Sequence, residues 1–227
     1  MVIAAIVVAL AILIAGPAYW VGAVIKRYSS PADRYAMTGA ETARYLLDTE
    51  RLNGVKVEAT ELGDHYDPME KVVRLGPNHY GGRSLAAVTI AAHEVGHALQ
   101  DARGYGPLQW RTRLVQLAGP AQKLGAGMLM VSPIVAAFTR VPAIGLITLL
   151  GGFLTLATGA VVHMVTLPTE FDASFKRALP MLAQLRVLRD GDHRHARRLL
   201  TAAALTYVSA SLMSLINIGR WWAILRR

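Results

Sequence analysis

Residues 84–103 read SLAAVTIAAHEVGHALQDAR, a stretch that is apolar at most positions apart from the cluster His93, Glu94 and His97. The pattern predicts one helix. Because residues four apart lie on the same face of a helix, both imidazoles would point in the same direction. Two imidazoles on consecutive turns are typical of a zinc-binding helix, since neutral imidazole is an ordinary zinc ligand. The alternative is a paired His/Glu cluster without metal, because such groups are costly to bury unpaired.

Glu94 lies about 100° round this helix from His93. It would therefore reach a water molecule on the metal rather than the metal itself. Zinc lowers the pKa of such a water, so Glu94 could act as general base on it and then protonate the leaving amine. The sequence predicts one Zn²⁺ ion and hydrolysis of a peptide bond.

A third ligand must come from elsewhere in the chain. Arg103 stands where one class of zinc proteases has a third His, and Gln100 stands where that class has Gly. The chain contains no cysteine, which excludes thiolate ligands, disulfides and Cys nucleophiles. A carboxylate from a later helix is the common solution. Glu170, in LPTEFDASFKRAL, is the best candidate and Asp172 the second.

The composition departs from that of a soluble domain. Of 227 residues, 53% are hydrophobic and only 17% charged, with a net charge of +9, whereas a soluble domain has about 25% charged residues. Residues 1–25 carry no charge and are followed by Lys26-Arg27. This order favours an uncleaved membrane anchor with its N-terminus outside, and a cleaved signal peptide is the alternative.

The distribution of charge predicts five segments: an anchor, a polar α+β region, a transmembrane hairpin, a basic segment carrying the third ligand, and a C-terminal transmembrane or interfacial helix. Their bounds are 1–25, 26–115, 116–167, 168–198 and 199–227. The two polar segments hold most of the basic residues and all 15 acidic ones, so the positive-inside rule assigns them to the cytoplasm. We expect a mainly α, integral membrane protein with about four transmembrane helices in a lipid bilayer. No nucleic-acid motif is present, so the positive charge indicates topology rather than a nucleic-acid partner.

The polar region has clear local signals. Thr38 and Glu41 form a capping-box pattern that begins one helix, and Ser84 is a plausible N-cap for the next. VKVEATEL and KVVRL read as strands. Asp67-Pro68 reads as a turn. The strand at 71–75 could present an edge to an extended substrate.

The stretches MTGAETARYLLD, DHYDP, VRLGPNHYGGRSLAAVTIAAHEVGHALQ and LPTEFDAS resemble the YugP-type family of bacterial membrane zinc metallopeptidases, over residues 37–178 and the leading anchor. The resemblance extends more distantly to HtpX-like and CAAX-prenyl-type membrane proteases, of the HExxH gluzincin type. It implies a zincin-like cytoplasmic region with His93, His97 and Glu170 as zinc ligands and Glu94 as base. It also implies a multi-pass peptidase of the bacterial cell membrane with its active site on the cytoplasmic side. Its substrates would be proteins or peptides, membrane proteins among them.

The sequence departs from the distant relatives at one position. They have Glu-x-x-x-Asp at the third ligand, and here the Asp position is Ser174. In them a carboxylate orients a ligand imidazole. Asp172 could replace it.

Peptide hydrolysis also needs a hydrogen-bond donor for the tetrahedral oxyanion. Tyr66 or His65 could supply it, although the cluster at 64–67 also reads as a turn. Arg177 and the histidines of HRHARR at 193–198 are further candidates, and the latter stretch also reads as a basic segment attracted to anionic lipid. The competing function is a non-catalytic membrane adaptor with a structural zinc site. An intact Glu94 argues against the adaptor, because a structural site does not need a general base.

Overall fold

A computed structural model of the chain describes residues 2–139 and 141–206. The described residues divide into two compact units, one of residues 2–18, 110–139 and 141–166 and the other of residues 19–109 and 167–206. The second unit contains the small sheet and all the residues discussed as a candidate site.

The described chain is mainly helical, with three short strands. In order, the elements are α1 Val2–Tyr28, α2 Gly39–Thr49, β1 Lys56–Ala59, β2 His65–Asp67, β3 Val72–Leu75, α3 Pro77–Tyr80, α4 Leu85–Ala102, α5 Gly106–Thr139, α6 Pro142–Phe171, a π-helical segment Asp172–Ala178, α7 Leu179–Gln184 and α8 His193–Ala204.

The sheet has the order β1-β3-β2, with β1 parallel and β2 antiparallel to β3. The prediction of a turn at 64–67 is wrong in part, because His65–Asp67 forms β2 and Tyr66 pairs with Val73. The prediction that the strand at 71–75 offers a free edge is also wrong. It is the central strand, and its backbone already pairs on both sides.

The helix signals in the polar region are confirmed. The hydroxyl of Thr38 accepts a hydrogen bond from the backbone of Glu41, and the Glu41 carboxylate accepts one from the backbone of Thr38. Ser84 caps α4 by accepting from the Ala87 amide. These caps satisfy amide groups that a helix leaves without an internal partner at its first turn.

α4 is the central helix of its unit. Every residue from Leu85 to Gln100 is buried, with α2, the sheet, the π-helical segment and α8 packed around it. Leu199 and Leu200 of α8 belong to this core. A helix surrounded on all sides buries its polar residues as well, so the His and Glu side chains of α4 lie inside the protein.

The prediction of about four transmembrane helices is wrong. Among the described residues, no single helix combines the length and the apolar composition needed to cross a membrane. One bent pair, Gly106–Gly125 with Met130–Thr139, meets the test of length and composition when the two parts are taken together, at an angle of 43°.

The number of transmembrane helices is overestimated for local reasons. Pro133 lies just after the bend in α5, and a proline inside a helix removes a backbone hydrogen bond and bends the axis. The hydropathy of a sequence depends on neither the lost hydrogen bond nor the bend. The predicted boundary between residues 198 and 199 falls inside α8, which packs in the core of its unit. Residues 207–227 of the predicted C-terminal segment lie outside the described residues.

Candidate metal centre

Three buried side chains meet between α4 and the end of α6. The Nε2 atoms of His93 and His97 each lie 3.2 Å from Oε2 of Glu170. The candidate ligand atoms of the three residues lie within 4.8 Å of one another. The side chain of Glu170 is fully buried and those of the two histidines are 5% exposed. The structure therefore brings together the three residues that the sequence predicts as a ligand set.

Gly96 allows the two elements to approach this closely. A Cβ atom at this position would lie 2.6 Å from the carbonyl oxygen of Ala173, closer than such atoms can pack. The absent side chain lets the π-helical segment lie directly against α4. Glu170 and Ser174, on either side of Ala173, consequently face the histidines.

The hydrogen bonds of Gln100 define the protonation of His97. The amide nitrogen of Gln100 donates to the carbonyl of Thr169 at 2.8 Å and to Oδ2 of Asp172 at 2.9 Å. Both partners can only accept, since burial raises the pKa of Asp172 but hydrogen bonds from Gln100 and Arg177 outweigh it and keep that pKa below its ordinary value. The amide oxygen must therefore face His97. That oxygen lies 2.9 Å from Nδ1 of His97, which therefore carries a proton and donates it.

Ser174 fixes His93 in the same way. The hydroxyl of Ser174 donates to the carbonyl of Leu200 at 3.3 Å, which uses its single proton. It can then only accept from Nδ1 of His93, at 3.0 Å. Nδ1 therefore carries a proton in both rings, and a neutral ring in this tautomer presents an unprotonated Nε2 atom towards Glu170.

The resulting donor set fits a zinc ion. Burial raises the pKa of Glu170, but the charge of His97 and the hydrogen bonds that His93 and His97 donate when protonated lower it below the ordinary value for a glutamate, so the carboxyl is an anion beside protonated rings. Two neutral imidazole lone pairs and a carboxylate would repel one another unless a cation lies between them. Ligands held at 2.0–2.1 Å in a tetrahedron lie about 3.3 Å apart, close to the two observed separations of 3.2 Å. Without a metal, protonation of the imidazoles at Nε2 would be needed to hold the cluster.

Asp172 lies in a second layer behind His97. Its Oδ2 accepts from Gln100 and, at 2.7 Å, from Nε of Arg177. Burial raises the pKa of Asp172, but these two hydrogen bonds and the Arg177 charge bring it below the ordinary value, so the group is ionised. Asp172 was expected to orient a histidine directly, and the structure shows that it reaches His97 only through Gln100. The Arg177 guanidinium, a candidate oxyanion donor, lies against Asp172 and 5.5 Å from the centre of the Tyr105 ring.

Sequence reasoning missed the contacts of Gln100 and Ser174. In the sequence, Gln100 is only a departure from one class of zinc proteases, and Ser174 is only a departure from the distant relatives. The signal available for Gln100 was its position three residues after His97 in an otherwise apolar stretch, where a buried amide needs partners. For Ser174, the spacing of four from Glu170 would have placed both side chains on a similar face.

The candidate catalytic residues Glu94, Tyr66 and His65 lie in three different environments. Glu94 is buried on α4, with 6% of its surface exposed. Tyr66 donates to Asp101 at 2.6 Å, and both burial and Asp101 raise its pKa. Nδ1 of His65 lies 2.8 Å from the carbonyl of Gly63. In the described part of the chain, neither Tyr66 nor His65 hydrogen-bonds to the cluster, and their catalytic role stays a prediction.

Two histidines four residues apart on one helix, with a glutamate from a later helix, form the ligand set of zinc peptidases of the His₂Glu type. The chain belongs to the family described as "Putative neutral zinc metallopeptidase", which it matches over residues 2–226. It is 37% identical over 213 residues to the "Putative membrane protease YugP" of Bacillus subtilis (strain 168), an alignment that covers 91% of this chain and 90% of that protein. No solved structure matches the chain. The resemblance to the YugP-type family is thus confirmed.

Proposed function

We propose that this protein is a zinc-dependent metalloendopeptidase that hydrolyses peptide bonds near the cytoplasmic face of the membrane. One observation carries the proposal: the Nε2 atoms of His93 and His97 converge with the carboxylate of Glu170 in a buried site. Membership of the zinc metallopeptidase family supports the same metal and the same reaction class.

Each residue of the candidate site would have a separate role in hydrolysis. Zn²⁺ held by the two histidines and Glu170 would lower the pKa of a water molecule and polarise the substrate carbonyl. Glu94, next to His93 on α4, would accept the proton of the attacking water and transfer it to the amide nitrogen as the peptide bond breaks. Gln100 and Ser174 would hold the imidazoles in the tautomer that leaves Nε2 free to bind.

Membrane association is the second part of the proposal. The Bacillus relative is named as a membrane protease, and residues 1–25 carry no charged side chain. The unit that contains the cluster carries most of the basic residues of the chain and all 15 of its acidic ones, which supports a cytoplasmic position. Proteins or peptides close to that surface are the proposed substrates.

The test compares Glu94→Gln with the wild type in full-length, detergent-solubilised protein. The variant should keep one zinc per chain, measured by elemental analysis, and lose cleavage of an unfolded protein substrate by at least about 100-fold. Glu61→Gln is the matched control, because Glu61 is exposed in a loop and its substitution should change neither value.

Retained proteolysis in Glu94→Gln would refute the catalytic assignment. A wild-type protein that binds zinc tightly but cleaves nothing, in vitro or among the membrane proteins of its own cells, would favour the adaptor with a structural zinc site. Zinc content that is unchanged in His93→Ala would refute the metal site itself.

A further inference from the structure

A second site lies at the carboxyl end of α1. A cavity of about 250 Å³ opens between this helix end, the following turn and the start of α8. Six polar or charged residues line it, together with Pro31 and Leu85. They are Arg27, Tyr28, Ser30, Arg34, Asp192 and His195. The cavity shares no residue with the candidate metal centre.

The cavity carries an uncompensated positive charge. Arg34 donates to both oxygens of Asp192, at 2.7 and 2.8 Å, and Tyr35 donates to the same carboxylate at 2.5 Å. The only acidic side chain of the lining is therefore neutralised by Arg34. Arg27 is exposed and, among the described residues, has no ion pair. Its guanidinium is free to bind an anion.

The other lining groups can donate hydrogen bonds. The hydroxyl of Tyr28 lies 2.9 Å from Nδ1 of His195. If Tyr28 donates to Nδ1, the proton of a neutral His195 ring is on Nε2 and can be donated to a ligand. Ser30 adds an exposed hydroxyl at the rim. The lining thus combines the guanidinium of Arg27 with two neutral donors, His195 and Ser30.

We propose that this cavity binds a phosphate group, either in the headgroup of an anionic phospholipid or in a soluble phosphate ester. Guanidinium groups bind phosphate oxygens in pairs, and a phosphate offers more acceptor oxygens to the surrounding donors than a carboxylate does. A volume of 250 Å³ is below that of drug-sized pockets, so it suits a phosphate and a few attached atoms. The uncharged stretch 1–25 that precedes the cavity and the exposed Arg194, Arg197 and Arg198 of α8 would bring the site to an anionic lipid surface.

The test is a calorimetric titration of the full-length protein in an uncharged detergent. The probes are dihexanoyl phosphatidylglycerol below its micelle concentration, glycerol 3-phosphate and inorganic phosphate. Dihexanoylglycerol, which lacks phosphate, and acetate are the comparators. We expect saturable binding of a phosphate probe that Arg27→Gln weakens about 10-fold, the loss expected for one charge-assisted hydrogen bond.

Arg194→Gln is the matched control, because it removes the same charge from an exposed position outside the cavity. It should weaken binding less than twofold. Ser30→Ala is a second cavity variant that should also weaken binding. Preference for phosphatidylglycerol over glycerol 3-phosphate would support the lipid source, and the reverse would support a soluble ester.

Equal losses in Arg27→Gln and Arg194→Gln would overturn the proposal, because they would indicate general charge attraction. Equal binding of dihexanoylglycerol or acetate, or no binding of any phosphate probe, would overturn it too. Glu94→Gln should bind the probe as the wild type does, so the result is independent of the proposed peptidase activity.

Discussion

The hydroxyl of Ser174 lies 3.0 Å from Nδ1 of His93 and donates its own proton to the carbonyl of Leu200. A serine therefore does here what a carboxylate commonly does behind a ligand histidine, and it does so without adding a charge. Gln100 has the same role for His97. Both imidazoles are thus oriented by neutral partners, and the charged pair of Asp172 and Arg177 lies behind Gln100.

Ser174→Ala should weaken zinc binding by about 10-fold, the lower end of the range for partners of ligand histidines. The variant removes the acceptor for the Nδ1 proton of His93 but leaves all three ligands. Competition with a fluorescent zinc chelator measures the change. Zinc affinity equal to that of the wild type would show that the Ser174 contact does not orient the ring.

Gln100→Leu should weaken zinc binding more, by about 10- to 100-fold. It removes the acceptor for His97 and also leaves Asp172 and the carbonyl of Thr169 without their amide donor. Arg177→Gln should have a smaller effect, because it reaches His97 only through Asp172 and Gln100. The same chelator assay ranks the variants, and a larger loss in Arg177→Gln would contradict this order.

Gly96→Ala should destabilise the unit that contains the cluster, because its Cβ would meet the carbonyl oxygen of Ala173. We expect a lower melting temperature and loss of zinc together, since the clash separates α4 from the segment that carries the third ligand. Gly22→Ala is the control: its Cβ would have no neighbour within 4 Å, and alanine favours helix. A Gly96→Ala protein with unchanged melting temperature and zinc content would refute the close approach.

Tyr66→Phe should keep the rate of peptide cleavage within about twofold of the wild type. Its hydroxyl donates to Asp101 rather than to the cluster, so its loss affects stability, by about 1 kcal/mol, more than catalysis. Steady-state kinetics and thermal melts of the variant separate the two effects. A large fall in kcat would instead support the oxyanion role that the sequence suggested for Tyr66.

The Arg34–Asp192 pair should make stability depend on acid pH. The hydrogen bonds from Arg34 are the main reason that the pKa of Asp192 is lowered. The pair therefore stabilises the folded state above the ordinary aspartate pKa of about 3.9, and this contribution is lost as the pH falls through the lower, folded value. The difference in melting temperature between wild type and Asp192→Asn should narrow below about pH 4.

The exposed neighbour Asp190 provides the control for that measurement. Asp190→Asn should differ little from the wild type at any pH. A gap between wild type and Asp192→Asn that widens on acidification would contradict the linkage. Tyr35, which also donates to Asp192, stays protonated throughout, because burial first and Asp192 second raise its pKa to about 12.

Much of the candidate site could be predicted from local pattern. The positions of His93, Glu94 and His97 on one helix follow from helix periodicity alone. Thr38 and Ser84 predict where two helices begin, because their side chains cap the first turn. Glu170 could be selected because few carboxylates follow the apolar region.

Hydropathy predicted the transmembrane helices less well than local pattern predicted the candidate site. The apolar segments were interpreted as transmembrane helices, although hydropathy is a property of composition. Whether one straight helix forms depends on the backbone, which bends by 43° between the two parts of α5. Leu199 and Leu200 were assigned to a C-terminal transmembrane or interfacial helix, yet they pack in the core of their unit. An apolar side chain can be buried either in a protein core or in a bilayer, so hydropathy does not distinguish the two.

By itself, the sequence determined the candidate ligand types, the helix that carries two of them and the family, because each depends on residue identity and short spacing. Only the tertiary structure decided how the ligands are held. Ser174 reaches His93 from a segment 81 residues away. Gln100 lies three residues after His97, but its amide is held by Asp172, which is 72 residues away. Such contacts depend on the packing distance between two backbones, here set by Gly96 against Ala173, and no local pattern specifies that distance.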